Sequence, residues 1–367
     1  MYDAIVIGAR CAGSPTGMLL ARQGHRVLVV DRDTFPSDTL STSFFQDDAS
    51  ASLDNWGLYE RLMATKPQLA PVTAVFGPGL FSASPPPSRY PGIAPRRTYL
   101  DKLLVDAARE AGAEVREGFS VQEIRTDESG RVTGIRGRDA DGNSVVEDAR
   151  VVVGADGRNS FLARNVAVQE YDVVEPTTCG YFSYFDGDKG EGGELHYNGN
   201  HAFFAFPTHD GQTCFAAEAP FAAWAEFKAD PETYLFEKMK EHAPALFERA
   251  DEAKRAETMY GMQGRRSFFR KPYGDGWALV GDAGFLKDPI TGAGCNDAFR
   301  DAQLLSDGLH AWLAGREEFG DAMSAYQRKR DAIAKPAYDQ CVFMAELHDV
   351  TPDFLMRLGA MMAPAPA

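Results

Sequence analysis

The first 31 residues constrain the fold of this chain more than any other segment. Residues 4–7 form a continuous apolar run (AIVI), which is typical of a parallel strand buried on both faces. Residues 14–23 predict a helix, and residues 26–30 predict a second buried strand that ends at Asp31. A strand, a helix and a strand within so short a span form a βαβ unit. The sequence therefore predicts an α/β fold built on a parallel sheet.

The turn between the first strand and the helix reads Gly8-Ala9-Arg10-Cys11-Ala12-Gly13. In a dinucleotide-binding turn, the first glycine makes the sharp reversal and the last lets the helix pack close to the strand. A pyrophosphate then lies at the helix N-terminus, where free N–H groups and the helix dipole favour negative charge. Arg10 stands where the usual pattern has its second glycine. Asp31 is placed to hold both hydroxyls of a ribose, and the alternative is a glycine-rich turn without a ligand.

The composition excludes several classes of partner and site. The 367 residues include 38 basic and 53 acidic side chains, and the net charge of −15 repels nucleic acids and anionic lipid surfaces. The N-terminus lacks the features of a signal peptide, and no run of about 18 apolar residues could span a bilayer. The five cysteines are widely spaced and form no metal-binding motif. We therefore expect no disulfide framework, no metal site and a cytoplasmic location.

Two later segments also run from a predicted strand into a glycine-rich turn. Residues 152–160 (VVGADGRNS) contain Asp156, and residues 277–284 (WALVGDAG) contain Gly281 and Asp282. Residues 289–296 (PITGAGCN) then precede a predicted helix. An aspartate at a strand end can accept hydrogen bonds from hydroxyl groups, and glycine N–H groups before a helix can face a planar, electron-rich ring. The alternatives are an ordinary turn in the first case and a plain strand–loop–helix in the second.

Residues 166–270 differ from the rest of the chain, because aromatic side chains concentrate there in short strand-like runs. We expect Tyr181, Tyr184, Phe204 and Phe206 to wall a pocket for an apolar substrate. Aromatic strands also commonly fill the core of a sheet, and only one face of a strand can meet a ligand. The sequence leaves open which of these rings line the pocket.

Taken together, the three glycine-containing segments resemble those of para-hydroxybenzoate-hydroxylase-like FAD monooxygenases, a family that includes geranylgeranyl-reductase-like enzymes and flavin-dependent halogenases. The resemblance spans residues 2–305 and includes residues 96–101 (RRTYLD), which are similar to a helix start beside the cofactor in that family. It implies a bound FAD, with the isoalloxazine ring facing residues 292–296. The residues that we expect to bind FAD are Gly8, Arg10, Cys11, Ala12, Gly13, Asp31, Arg32, Thr42, Arg97, Asp156, Gly281, Asp282, Pro289, Gly292, Ala293, Gly294 and Asn296.

The length of the chain predicts two domains, and the positions of the motifs near both ends imply that these domains interleave. We expect a discontinuous Rossmann-like FAD-binding domain over residues 1–70, 97–165 and 272–335. A substrate domain with a mixed or antiparallel β-sheet is expected over residues 71–96 and 166–271, followed by a helical tail over residues 336–367.

The resemblance implies a monooxygenase that NAD(P)H reduces and that oxygenates an apolar or aromatic small molecule through a flavin hydroperoxide. One alternative is a reductase that acts on C=C bonds, and another is a flavin-binding protein without catalysis. Halogenation is disfavoured, because residues 203–207 (FFAFP) stand where the halogenases carry a tryptophan-rich motif. Lys287 and Asp288 are candidates for an acid or a base, or else form a surface ion pair. Two further partners are kept as alternatives: a second copy of the chain, in a homodimer, and a separate flavin reductase.

Overall fold

The computed structural model describes residues 1–41, 44–77, 79, 81–83 and 88–362. Thr42, which the sequence predicts to bind the cofactor, lies outside the described residues. The predicted α/β fold class is confirmed, because helices cover mixed β-sheets. The strands are β1 (Tyr2–Ile7), β2 (Val27–Val30), β3 (Val72–Phe76), β4 (Phe81–Ala83), β5 (Glu114–Arg116), β6 (Ser120–Thr126), β7 (Val132–Arg138), β8 (Ser144–Gly154), β9 (Glu170–Val174), β10 (Thr178–Asp186), β11 (Gly193–Asn198), β12 (His201–Pro207), β13 (Gln212–Pro220), β14 (Lys254–Arg255), β15 (Tyr260–Met262), β16 (Ser267–Arg270), β17 (Tyr273–Gly274), β18 (Trp277–Leu279) and β19 (Phe285–Leu286).

Helices connect these strands and cover the sheets. They are α1 (Gly13–Arg22), α2 (Asp47–Asn55), α3 (Tyr59–Met63), α4 (Arg97–Glu110), α5 (Phe161–Asn165), α6 (Trp224–Ala229), α7 (Pro231–His242), α8 (Pro244–Glu252), α9 (Gly294–Leu313), α10 (Phe319–Ala345) and α11 (Pro352–Met362). Short 3₁₀ turns lie at His209–Gly211, Phe221–Ala223, Gly281–Ala283 and Pro289–Thr291. None of the described helices combines the length and the apolar composition that a bilayer span requires.

The parallel sheet contains the strand order β17-β18-β8-β1-β2-β5, and the strands from β18 to β5 are all parallel. β7 pairs with the first half of β8, and β6 pairs with β7, which adds an antiparallel arm. Ala4, Ile5 and Val6 are fully buried, because β1 lies in the middle of this sheet and is covered on both faces. The carboxyl ends of β1, β2 and β8 lie at the same edge, where open α/β sheets bind their ligands.

The aromatic sheet contains the strand order β14-β10-β13-β12-β11-β3-β4, with β15 also on β10. Its central pairs are antiparallel, and only β11 and β3 of its described pairs run parallel. One face packs on α7 and α8 through a core that includes Phe185, Phe203 and Phe215. The other face carries Phe182, Phe204 and Phe206 and meets residues of α10 and α11. Alternate residues of each strand therefore belong to different cores.

A small third sheet, in the order β19-β16-β9, lies beside the long helix α10. α10 continues from Phe319 to Ala345 with Pro336 inside it, so the expected boundary of the C-terminal tail falls within one helix. Proline removes one helical hydrogen bond and usually bends or ends a helix. The helix continues here because buried side chains anchor it on both sides of the proline, with Arg330 before it and Cys341 after it.

Candidate cofactor and substrate site

A cavity of about 680 Å³ lies between the carboxyl edge of the parallel sheet and the aromatic sheet. Most of the residues predicted to bind the cofactor line it, although they come from segments nearly 300 positions apart: Gly8, Arg10, Cys11, Ala12, Asp31, Arg32, Arg97, Asp156, Asp282, Pro289, Gly292 and Gly294. Gly13, Gly281, Ala293 and Asn296 are chain neighbours of lining residues without lining the cavity themselves. We call the part near Gly8, Asp31 and Asp282 the glycine-turn end, and the part near Phe182, Phe204 and Glu218 the aromatic end.

The glycine-turn end depends on residues that have no side chain. Gly8 has a φ of +102°, and a Cβ added there would lie 2.4 Å from the carbonyl oxygen of Ala155. A Cβ on Gly13 would lie 1.8 Å from the carbonyl oxygen of Gly8, so α1 can approach β1 only with glycine at this position. A Cβ on Gly281 would lie 2.8 Å from the Cβ of Ala12, which brings the third glycine segment against the first. These close approaches leave a cradle of backbone for a phosphate-bearing ligand.

Asp31 directly follows β2 at this edge of the sheet. Its Oδ2 accepts a hydrogen bond from the backbone N–H of Ala9 at 2.7 Å, and its Oδ1 accepts one from Asp33 at 2.9 Å. Burial raises the pKa of Asp31, while the two backbone donors act in the opposite direction. The carboxylate is 9% exposed and lines the cavity, so it has the position that a ribose-binding acceptor requires.

Arg10 occupies the position of the missing second glycine and belongs to a buried charge cluster. Its guanidinium lies 2.5 Å from Asp101 and 2.9 Å from Asp33. Asp101 is fully buried and also binds Arg97, with an Nη2–Oδ1 distance of 2.9 Å. Asp101 was not predicted as a functional residue. The available signal was its position four residues after Arg97, which places both side chains on one face of α4.

Cys11 and Cys295 bring the first and third segments into direct contact. Their sulfur atoms lie 3.8 Å apart, and the Cys11 thiol also lies 3.6 Å from an oxygen of Asp101. The hydrogen bond between the two thiols raises the pKa of Cys11 and lowers that of Cys295. Both side chains line the cavity and are nearly buried. The two thiols therefore lie at the glycine-turn end, beside the N-termini of α1 and α9.

Several buried polar atoms at this end have no hydrogen-bond partner among the described residues. They include Oδ1 of Asp156, which lines the cavity, and both amide atoms of Asn296, which follows the lining residue Cys295. The other oxygen of Asp156 accepts from the N–H of Phe161 at 2.6 Å, at the start of α5. Unsatisfied buried polar atoms are costly and mark positions where a polar ligand fits. Together with the glycine cradle, they fit a dinucleotide such as FAD.

Asp282 faces the cavity from the 3₁₀ turn that follows β18. The side chain of Asp282 is exposed to the cavity. The surrounding protein and then repulsion from Asp297 raise its pKa, although Arg97 and Arg158 act in the opposite direction. Arg158, which follows the central Asp-Gly pair, was not predicted as a site residue and also lines the cavity. The glycine-turn end thus holds both a carboxylate and cations, as a ligand with hydroxyl and phosphate groups requires.

The aromatic end takes its lining from β10, β12 and β13. Phe204 and Phe206, which the sequence suggested for a pocket wall, line the cavity, and Phe182 of β10 joins them from the same face of the sheet. Tyr181 also lines the cavity. Its ring stacks on that of Trp224 at a centroid distance of 5.4 Å and belongs to the core on the opposite face of the sheet.

Tyr184, the fourth aromatic residue expected in the pocket, does not line this cavity. The guanidinium of Arg96 lies 3.6 Å from the centre of its ring. Arg96 in turn forms ion pairs with Asp38 and Glu257. This charged cluster covers the Tyr184 ring, so the residue shares a sheet face with Phe182 without meeting the cavity.

Two acidic residues also line the aromatic end, Asp288 and Glu218. Asp288, which the sequence indicated as an acid or base, is buried and accepts hydrogen bonds from Thr178 at 2.6 Å and from the N–H of Ile290 at 3.1 Å. Glu218 on β13 was not predicted, although a charged residue within an apolar strand is a readable signal. Lys287 forms an ion pair with Asp297 at 2.7 Å; its side chain is only 6% exposed, so this is not the surface pair that was the alternative.

A glycine turn at the start of a helix, an acidic residue after the second parallel strand and an adjoining chamber with aromatic walls are the features of a dinucleotide-binding fold. Residues 1–341 match the FAD binding domain family (FAD_binding_3), and the chain belongs to this family of FAD-dependent oxidoreductases. The resemblance inferred from the three segments is thereby confirmed.

The chain is similar to several members of this superfamily. Digeranylgeranylglycerophospholipid reductase 2 of Methanothermobacter thermautotrophicus is 28% identical over 91% of this chain and 84% of its own length. The structure of the flavin-dependent brominase Bmp2 matches with a TM-score of 0.86 at 21% identity, over 98% of this chain and 89% of that chain. The structure of PqsL, a probable FAD-dependent monooxygenase of Pseudomonas aeruginosa, matches with a TM-score of 0.81 at 19% identity, over 98% of this chain and 99% of that chain. At these identities the solved structures bear on the fold alone.

Proposed function

We propose that the protein is an FAD-dependent monooxygenase that takes electrons from NAD(P)H and oxygenates an apolar or aromatic small molecule. The observation that carries this proposal is the continuity of one cavity. Its glycine-turn end has the features of a dinucleotide site, and its aromatic end is walled by Phe182, Phe204 and Phe206. An apolar chamber directly beside the cofactor lets a substrate ring approach the flavin while water is excluded.

The chemistry that FAD supplies when bound is two-electron transfer and the activation of dioxygen. The protein binds the cofactor and the substrate and orients them toward each other. Asp31 and the backbone around Gly8 hold the ribose and phosphate groups, and the N-terminus of α9 stabilises negative charge near Gly294. Phe204 and Phe206 position the apolar part of the substrate. No acid–base triad is required for such a reaction, because positioning and exclusion of water are the tasks of the protein.

A second candidate function is reduction of C=C bonds without oxygen insertion. The observation that favours it is the similarity, noted above, to the digeranylgeranylglycerophospholipid reductase of Methanothermobacter thermautotrophicus. The same apolar chamber would accept an unsaturated hydrocarbon, so the geometry of the site does not separate the two reactions. Dependence on dioxygen separates them.

The experiment supplies purified FAD-loaded protein with NADH or NADPH and a panel of aromatic compounds, in labelled dioxygen and under strict anaerobiosis. The monooxygenase proposal expects oxygen uptake and a product that carries one labelled oxygen atom. Anaerobic turnover of an unsaturated compound overturns it in favour of the reductase, and incorporation of added bromide overturns it in favour of halogenation. Activity without any added reductase shows that no partner reductase is needed.

Two substitutions on one strand provide a matched control. Phe204 and Phe203 are adjacent on β12, but Phe204 lines the cavity whereas Phe203 packs on the opposite face against the core beneath α7 and α8. We expect F204L to lower kcat/KM for the substrate by about tenfold, because one pocket contact of roughly 1–2 kcal/mol is lost. F203L is expected to lower stability by about 1 kcal/mol and to leave kcat/KM unchanged. Equal effects of the two variants on kcat/KM would contradict the assignment of the pocket.

A further inference from the structure

We propose that Glu218 is the polar anchor of the aromatic end: as a neutral carboxylic acid, it hydrogen-bonds a carbonyl, hydroxyl or amine group on an uncharged ring substrate. The proposal rests on the proposed function, because it names the substrate class of the same site. It assigns a binding residue, and no covalent step passes through Glu218.

The position of Glu218 is the first argument. It lies in β13 among the apolar residues Ala216, Ala217 and Ala219, and only 5% of it is exposed. Its chain neighbours Ala216 and Ala217 line the same cavity. Oε2 of Glu218 is buried and has no hydrogen-bond partner within the part of the chain that the structure describes. A buried carboxyl oxygen without a partner costs stability, so it marks a place where a ligand completes the hydrogen bonding.

The second argument is the neighbouring carboxyl group. Asp288 already uses both oxygens as acceptors, one from the hydroxyl of Thr178 and one from the backbone N–H of Ile290. Burial raises the pKa of Asp288, and these two donors act in the opposite direction because they favour its ionised form. Burial, the charge of Asp288 and hydrogen bonding with the Asp288 side chain raise the pKa of Glu218 well above its usual range. Of two adjacent buried carboxyl groups only one ionises readily, so the proton resides on Glu218.

The other titratable and charged groups around Glu218 and Asp288 do not change the conclusion that the proton resides on Glu218. Cys179 on β10 and Cys341 on α10 are thiols whose pKa burial raises, to about 11 for Cys179, so both are neutral. Lys287 is bound to Asp297. Arg265 lines the same cavity, and the shift in the pKa of Glu218 comes from burial and Asp288.

The substrate class follows from these charges. A protonated carboxyl group donates one hydrogen bond and accepts others, which suits a carbonyl, hydroxyl or amine group. A carboxylate substrate would bring a further negative charge beside ionised Asp288, in a pocket of low dielectric constant where like charges repel strongly. The aromatic end therefore fits an uncharged ring compound with one polar substituent, and it disfavours aromatic acids.

The test measures binding without turnover. Holoprotein with oxidised FAD is titrated with benzamide and with benzoate, which have nearly the same shape and differ in charge, and the flavin absorbance is followed. We expect benzamide to bind at least about tenfold more tightly than benzoate at neutral pH. E218L is expected to weaken benzamide binding about tenfold, and E218Q, which keeps a donor and an acceptor, is expected to stay within about threefold of the native affinity. E226L, which removes an exposed carboxylate outside the cavity lining, is the control and should change neither affinity.

A second measurement does not depend on the choice of probe. The infrared carbonyl band of a protonated carboxyl group should persist at neutral pH in the native protein and disappear in E218Q. Absence of this band, equal or tighter binding of benzoate, or failure of benzamide to bind overturns the proposal. None of these readouts requires catalysis. If they come out as expected while labelled oxygen is not incorporated, the monooxygenase proposal fails and the role of Glu218 stands.

Discussion

The two ends of the cavity are built in different ways. At the glycine-turn end, the shape comes from backbone: Gly8 and Gly13 allow close approaches that no side chain permits. At the aromatic end, the shape comes from side chains on one face of an antiparallel sheet, among them Phe182, Phe204 and Glu218. A phosphate-binding turn demands particular residues at fixed spacing, whereas an apolar chamber demands only size and polarity on one strand face. The first end should therefore tolerate substitution far less than the second.

The largest expected effect is that of a single methyl group at the glycine-turn end. The Cβ of G13A would lie 1.8 Å from the carbonyl oxygen of Gly8, so α1 must move away from β1 and the phosphate cradle opens. We expect FAD affinity to fall by more than about a hundredfold. The flavin absorbance of the purified protein and a fluorescence titration with FAD measure this change.

The matched control for G13A is G320A. Gly320 lies in the first turn of α10, and a Cβ added there meets nothing within 4 Å. Alanine has the higher helix propensity, so stability should rise by about 0.5–1 kcal/mol with FAD affinity unchanged. Native FAD affinity in G13A would show that the close packing of α1 on β1 does not shape the cofactor site, and the contrast between the two ends would disappear.

The second effect in size concerns the charge cluster behind the glycine turn. R97M leaves fully buried Asp101 with Arg10 as its remaining cationic partner, so the free energy of unfolding should fall by about 3 kcal/mol. Urea unfolding of the protein measures this loss. R61M breaks the exposed pair with Glu110 and should cost less than about 1 kcal/mol. A cost for R97M as small as that for R61M would mean that the buried cluster does not stabilise this end.

The third effect tests the contact between the turn that follows β12 and the start of α4. His209 follows the aromatic strand β12, and its ring accepts from the N–H of Arg96 at 3.1 Å, at the start of α4. Burial lowers its pKa from 6.5 to about 4, so the unfolded chain takes up a proton between these pH values and the folded protein does not. The contribution of His209 to stability should therefore be present above pH 6.5 and fall by about 2–3 kcal/mol on acidification to pH 4.

H209Q should remove the part of this pH dependence that belongs to His209. His201 has its pKa lowered to about 4 by burial as well, so H201Q should flatten the profile in a similar way. The two variants differ in a second readout, because only His209 bonds to the segment that starts α4. We expect H209Q, but not H201Q, to increase proteolysis near residues 94–97. A native pH profile in H209Q would show that this ring is not buried as a neutral base.

The contrast between the two ends also explains what could be predicted from the sequence. Gly8, Gly13 and Asp31 could be placed because strand, turn and helix dictate their roles locally. The aromatic lining could not, because a shift of one residue exchanges the faces of a strand. Tyr181 and Tyr184 are three positions apart in β10 and so lie on opposite faces, which the sequence alone could have revealed. The covering of Tyr184 by Arg96 depends on contacts between distant segments.

The smallest expected effect uses the cysteines to locate the cofactor. Cys11 and Cys295 line the glycine-turn end, whereas Cys214 lies within the aromatic sheet outside the lining, where burial raises its pKa to about 12. In protein freed of FAD, a small alkylating reagent should modify Cys295 first, because its neighbouring thiol and Arg97 favour the thiolate. Bound FAD should slow this reaction several-fold, and Cys214 should stay unmodified in both states. Mass spectrometry of the cysteine peptides measures the rates of modification. If FAD does not change the rate at Cys295, the cofactor does not bind where the first and third glycine segments meet.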